Sequence, residues 1–238
     1  MGTLISKSVG EFVAEDYRTA AVFQRYGIDF CCKGGRTIDE VCEQKNILVE
    51  ELMDNLVKVS KLDDQSVTDF QSWPLDTLAD YIENKHHKYI LEKTPALRQY
   101  FDKLCKVHGS HHPELFEINE QFNASANELA DHMQKEEIIL FPYIRNMVEA
   151  QKNHDNAARP GFGTIQNPIQ MMMEEHNVEG ERFRKMSSLS EGYNPPADAC
   201  STYRVAYAML KEFEGDLHLH IHLENNILFP KAIEMELN

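Results

Sequence analysis

No apolar run in this sequence approaches the ~20 residues that cross a bilayer, which excludes a membrane-spanning helix. Basic charge is scarce. The 24 Lys and Arg stand against 39 Asp and Glu, for a formal net charge of −15. That balance argues against a nucleic-acid backbone or an anionic membrane surface as the main partner. The N-terminus lacks the basic and apolar regions of a secretory signal. Met1-Gly2-Thr3-Leu4-Ile5-Ser6 fits the loose myristoylation pattern, but no polybasic patch accompanies it, and the match is taken as chance. Cysteines number five, an odd count without framework spacing, so reduced thiols in a cytoplasmic protein are expected. The 42% hydrophobic content is enough for a core, and 238 residues hold one large domain or a large and a small one.

One phrase is present twice. His132-Met133-Gln134-Lys135-Glu136 runs on to Ile139-Leu140-Phe141-Pro142, and His220-Ile221-His222-Leu223-Glu224 runs on to Ile227-Leu228-Phe229-Pro230. Both copies read H-x3-E-x2-I-L-F-P. On a helix, positions i and i+4 share a face, so each copy aims an imidazole and a carboxylate the same way. Leu129, Met133, Leu140 and Tyr143 share the stripe of the first pair, and Leu210, Phe213, Leu217 and Leu228 that of the second. Both pairs therefore point into a core. A single buried His/Glu pair is most often a satisfied polar contact. Two in identical apolar frames favour a metal, because buried ionisable groups are costly unless paired, hydrogen-bonded or coordinated.

The rest of the chain frames this repeat in an all-α fold, an antiparallel four-helix bundle preceded by a small helical domain. Residues 1–60 form that domain. Ser8 with Glu11 and Thr37 with Glu40 read as capping boxes. An apolar face runs from Val9 to Tyr26 and stops at Gly27, and a third helix covers Val49 to Val59. Residues 61–73 are polar and acidic, a linker. Residues 74–238 carry four long helices with short outer turns. Pro95 is a kink signal within the first of them. The second starts near Pro113, and Asn167-Pro168 reads as the cap and first position of the third.

His176 precedes His220 by 44 residues and shares the face of Ile169, Met172, Met173 and Phe183, so it also points inward. A symmetric bundle needs a matching histidine about as far before His132. His86 and His87 both qualify. Periodicity with Leu78, Ile82 and Tyr89 prefers His86, symmetry prefers His87, and the residues leave the choice open. His108 lies 21 residues after His87, about 31 Å along an unbroken helix at 1.5 Å per residue, and falls at the outer turn. His111, His112 and His154 read as loop residues, and His218 and His222 as solvated. Four imidazoles and two carboxylates remain. Two irons bridged by both carboxylates and an oxo group would use them with one open position per metal, and the diferrous and oxo-bridged diferric sites carry the same net charge. Zinc fits less well, because its usual sites are four-coordinate, whereas imidazole with carboxylate suits iron or manganese.

The combination of Tyr26-Gly27-Ile28-Asp29-Phe30-Cys31-Cys32, His132 to Pro142, Glu174-Glu175-His176 and His220 to Pro230 resembles the RIC (repair of iron centres) proteins, di-iron proteins with a hemerythrin-like bundle. The resemblance covers nearly the whole chain. It implies His87, His132, Glu136, His176, His220 and Glu224 as ligands of two irons, which favours His87 over His86, although Lys88 stands where the family often has an acidic residue. Glu175 resembles a family residue near the metal. The resemblance also implies repair of iron–sulfur clusters damaged by nitric oxide or oxidants through iron donation, damaged or apo iron–sulfur proteins as partners, and a cytoplasmic protein that forms a monomer or a homodimer.

Cys31 and Cys32 sit between a helix stop and two glycines, where an exposed irregular backbone is expected. Lys33 and Arg36 would favour thiolates able to hold or pass on iron or to form a reducible disulfide. Packing as small hydrophobes is the plainer role, and it is expected for Cys42, Cys105 and Cys200, as core filling is for Met171-Met172-Met173. Two other functions compete with iron donation. One is an enzyme whose open iron positions reduce nitric oxide or act on oxygen. The other is a module that binds oxygen or nitric oxide as a sensor or store. The cysteine domain speaks against a simple carrier, which has no need of it.

Overall fold

A computed structural model describes residues 6–60, 68–155 and 160–237. The Met1–Ile5 part of the myristoylation match and most of the 61–73 linker lie outside the described residues. The chain divides into two compact units, one of Met1–Leu78 with Ile221–Asn238 and one of Ala79–His220. All regular structure among the described residues is helical, and no helix is long and apolar enough to cross a membrane.

In the first unit, Ser8 accepts from the Glu11 N–H and Glu11 accepts from the Ser8 N–H, so the capping box starts helix α1 (Val9–Glu15) as read from sequence. The apolar stripe does not continue as one helix. At Asp16 the side chain accepts from the Arg18 N–H and pairs with its guanidinium at 2.7 Å, replacing a helical turn by a local cap. A 3-10 turn (Tyr17–Thr19) and α2 (Ala20–Arg25) follow, ending at Gly27 in the left-handed region at φ +62°. The second capping box, Thr37 with Glu40, opens α3 (Ile38–Lys45), and α4 (Val49–Ser60) completes the set. Val9, Val13, Val22, Phe23, Ile28, Phe30, Ile38 and Leu52 form its buried core. Phe70, assigned by sequence to the linker, is also buried, in a 3-10 turn (Phe70–Ser72) beside Trp73.

The second unit is built on long helices. Helix α5 (Leu75–Tyr81) passes through a wide π turn (Ile82–His87) into α6 (Lys88–His108), which runs uninterrupted through Pro95. Helix α7 (Glu114–Lys135), a second π turn (Glu136–Leu140) and α8 (Phe141–Asn153) follow. Then come α9 (Gln166–Leu189) and α10 (Ser201–Leu223); from Ile221 onward the chain belongs to the first unit, which also holds a third π turn (Glu224–Leu228) and α11 (Phe229–Leu237). Helix α9 starts one residue before Asn167, and that side chain donates to the Phe162 carbonyl at 2.9 Å instead of capping. Pro168 still lies in the first turn, where no N–H is needed. Phe101 of α6, Phe122 of α7, Phe183 of α9 and Phe213 of α10 meet in the centre, with ring centroids 5.5–6.1 Å apart along Phe101–Phe122, Phe122–Phe213 and Phe183–Phe213. Truncating any one to alanine costs about 3–5 kcal/mol. This aromatic layer fixes the mutual register of the helices whose other halves carry the polar cluster.

Candidate metal centre

The first π turn resolves the competition between His86 and His87 in a way that α-helical periodicity could not. A π turn winds more residues per turn than an α turn, so consecutive positions reach the same interior, and both rings are buried, at 0% and 1% exposure. Their partners differ. His86 Nδ1 faces Asp216 at 3.0 Å and its ring stacks at 5.8 Å on His220. His87 Nδ1 faces Glu137 at 2.8 Å, and its Nε2 lies 3.4 Å from Glu136 Oε2.

The second π turn starts at Glu136. Its closing bond runs from the Phe141 N–H to the Glu136 carbonyl, five residues back, immediately before Pro142, which has no N–H to continue an α ladder. Glu136 is fully buried. Its Oε2 faces His87 and its Oε1 lies 3.4 Å from His132 Nε2. The Nε2 atoms of His132 and His176 approach to 3.0 Å. Donor atoms of His87, Glu136 and His220 all lie within 4.8 Å of one another, as do those of His132, Glu136 and His176. Two imidazole sets thus share one carboxylate. The 3.0 Å separation equals the edge of an octahedron built on bonds of about 2.1 Å, so the spacing is compatible with both nitrogens serving one cation. Glu224 occupies the place in its own helix that Glu136 has in the other. It stands four residues after His220, opens the third π turn, precedes Phe229-Pro230 and is fully buried.

Carboxylates hold the rings. Glu175 accepts from His132 Nδ1 at 2.7 Å and from Lys135 Nζ, and chiefly the histidine bond pulls its carboxyl down to about 2. With a carboxylate as its partner, Nδ1 must be the donor, which leaves Nε2 as a lone-pair donor for a metal. The same holds for His87 on Glu137. Glu179, three residues after His176, is buried and accepts from Ser125 Oγ, and burial raises its carboxyl. A cavity of about 180 Å³ opens beside His132 and His176, lined also by Glu128, Asp131, Glu175 and Glu179. Sequence reasoning missed Glu137, Asp216 and Glu179. The signals were present in the Glu136-Glu137 doublet, in Asp216 four residues before His220, and in Glu179 three after His176.

The cysteines depart from expectation. Cys31 is buried rather than exposed, and Cys32 is half-buried. The Cys31 Sγ lies 3.7 Å from Cys32 Sγ and 3.4 Å from Asp29 Oδ1. The neighbouring thiol first, then burial, push the Cys31 thiol well up, so the expectation of a thiolate favoured by Lys33 and Arg36 does not hold there. Arg36 is engaged instead with Gln44 and the Lys33 carbonyl. Asn225 donates to the Cys31 carbonyl at 3.2 Å, and Asn226 to those of Phe30 and Cys31 at 3.4 Å.

Other expectations are also corrected. His222 is buried, not solvated. Burial alone pulls it down to about 3, and it sits against the rings of Tyr17 and Phe30. Cys200 is exposed, 3.3 Å from His108 Nε2, whereas packing was expected. His108 lies at the opposite end of α6 from the site, beside Tyr203. Of the three methionines only Met172 is core, since Met171 and Met173 are exposed.

Residues 78–232 match the hemerythrin HHE cation binding domain, and residues 5–60 match ScdA_N, a domain of unknown function (DUF542). The iron-sulfur cluster repair protein YtfE of Pectobacterium carotovorum subsp. carotovorum (strain PC1) is 34% identical over 97% of this chain and 98% of its own. The protein of the same name from Musicola paradisiaca (strain Ech703) is 32% identical over 97% of each chain. The iron-sulfur cluster repair protein ScdA of Staphylococcus haemolyticus (strain JCSC1435) is 30% identical over 94% of this chain and 96% of its own. Both domain matches and the near-full-length relatives agree with the buried His/Glu cluster, and the chain belongs to the RIC family of hemerythrin-like iron–sulfur cluster repair proteins.

Proposed function

We propose that this protein repairs iron–sulfur clusters damaged by oxidative or nitrosative stress, acting in the cytoplasm as an iron donor whose cargo is a pair of irons held in the bundle. The observation that carries this reading is the division of Glu136, one oxygen toward His87 and the other toward His132. A carboxylate so placed would serve two metals, where a mononuclear site would leave one histidine set idle. His87 and His220 would hold one iron, His132 and His176 the other, with Glu136 and Glu224 shared. When bound, the iron pair would supply releasable iron. The protein's own groups do the rest. Glu137 and Glu175 keep the protons of His87 and His132 at Nδ1 and present Nε2. The cavity beside His132 and His176, lined by Glu128, Asp131, Glu175 and Glu179 as well as Lys135, carries more acidic than basic groups, which favours a cation there. Cys31 and Cys32 serve the transfer or its redox control. In this reading residues 1–60 are a functional domain joined by 61–73 to the metal bundle at 74–238.

The test mixes iron-loaded protein with an apo iron–sulfur protein and follows cluster absorption. Cluster assembly that draws on the bundle iron is expected, and Cys31→Ser with Cys32→Ser should abolish it while leaving bundle iron intact. Failure to form clusters, with nitrous oxide released when nitric oxide is added to the reduced protein, would overturn donation in favour of the enzyme reading.

A further inference from the structure

The loop after Gly27 gathers three metal-binding side chains outside the bundle cluster. Donor atoms of Asp29, Cys31 and Cys32 all lie within 4.8 Å of one another. Their spacing has the dimensions of a chelate. Two sulfurs bound tetrahedrally at about 2.3 Å lie about 3.8 Å apart, and a sulfur and an oxygen about 3.5 Å apart. The observed separations are 3.7 Å between the sulfurs and 3.4 Å from Cys31 Sγ to Asp29 Oδ1, the latter a hydrogen bond donated by the thiol that deprotonation would release. A disulfide, at about 2.05 Å, is a different arrangement, and neither cysteine is in one.

Two thiols in van der Waals contact would also show 3.7 Å, so the spacing alone does not decide. The scaffold does. Asp29 Oδ1 accepts the N–H groups of Cys31 at 3.1 Å, Cys32 at 2.9 Å and Lys33 at 3.4 Å, which pins the carboxylate beside the sulfurs. Asn225 and Asn226 hold the carbonyls on the loop's other side. Asn226 is itself wedged where glycine is required. A Cβ on Gly10 would come to 2.4 Å from its Oδ1, and one on Gly34 to 2.9 Å. The chelating shape is thus built into the chain and does not need an ion to form it.

We propose that Asp29, Cys31 and Cys32 form a separate mononuclear site for a thiophilic divalent cation. Thiolate ligands select such ions over the hard cations that carboxylates alone prefer. The inference rests on the donor reading for the identity of its cargo, which is ferrous iron in transit from the bundle to a client. Three protein ligands leave a fourth position for the client's own ligand. Binding releases the two thiol protons to water and moves no electrons.

Cobalt(II) is the probe, added to full-length, iron-loaded protein after reduction with a metal-free phosphine and a thiol count. Thiolate-to-cobalt charge-transfer absorption should grow to one cobalt per chain, with bundle iron unchanged. Cys31→Ser and Cys32→Ser should each abolish the absorption. Asp29→Asn, whose amide oxygen can still accept the three N–H groups, should weaken binding about 10-fold or more. Absence of charge-transfer absorption in the wild-type protein overturns the proposal, as does absorption that survives either serine change or is indifferent to Asp29→Asn. The bundle reading fails separately. It falls if iron is missing from the His/Glu cluster, whatever cobalt does at the thiols.

Discussion

The two copies of H-x3-E-x2-I-L-F-P share a frame and differ in the two residues after the glutamate. In the first, Glu137 and Ile138 follow Glu136. Glu137 braces His87, and Ile138 is exposed. In the second, Asn225 and Asn226 follow Glu224, and both side chains reach the carbonyls of the cysteine loop. The π turn is the same in each, opened by the glutamate and closed before proline. It directs the glutamate inward and frees the next two positions for another task. One copy spends them on orienting a histidine, the other on docking a loop of the same unit. Repetition of the ligand frame therefore marks what the metal demands, and the divergence inside it marks where the two halves have separate duties.

The comparison can be broken hardest at the glutamates. Glu136→Gln and Glu224→Gln each remove one charge and one shared oxygen, so both variants should lose most bound iron, to similar extents, by metal analysis. Each unsatisfied buried polar group should also cost about 1–3 kcal/mol in thermal unfolding. A large inequality between them would break the equivalence of the two copies. Glu137→Ala should speed iron loss to a chelator by about 10–100-fold, the cost of removing a group that orients a ligand. It should leave the thiols of Cys31 and Cys32 as slow to alkylate as before. Asn225→Ala should do the reverse, keeping iron and exposing Cys31 to faster alkylation, with a loss of about 1 kcal/mol. His108→Ala, at the far end of α6, should change neither iron nor thiol reactivity.

An effect on stability alone is expected at Glu214, which lies outside both phrases. Burial raises its carboxyl to about 7, so the folded chain holds that proton more tightly than the unfolded one. Its contribution is present below the ordinary glutamate value and lost as pH rises through 7. Glu214→Gln should therefore gain up to about 3 kcal/mol near pH 8 and nothing near pH 4, measured by urea unfolding.

The capping boxes, the four long helices and the inward face of His132, Glu136, His176, His220 and Glu224 were legible because they follow from i, i+4 spacing and cap chemistry. The π turns were not, and they explain the other misreadings. A strict 3.6 period admits one of His86 and His87, whereas the wider turn buries both. Pro142 and Pro230 were the only signals, and they were read as part of an apolar repeat. His222 was assigned to solvent by the same period, yet it is buried in the unit that contains the cysteine loop. The loop's burial depends on Asn226 fitting against Gly10 and Gly34, a contact between positions far apart in sequence that no local pattern encodes. The break at Asp16 was missed because its side chain bonds outcompete an otherwise helical stripe.

The central claim is that the doubled phrase builds one two-iron centre with shared carboxylates. Mössbauer spectroscopy on protein loaded with iron-57, alongside metal analysis, tests it most directly. The account predicts two irons per chain that behave as a single exchange-coupled pair, diamagnetic at low temperature when both are ferric. One metal per chain, or two ferric ions with independent paramagnetic spectra, would contradict it.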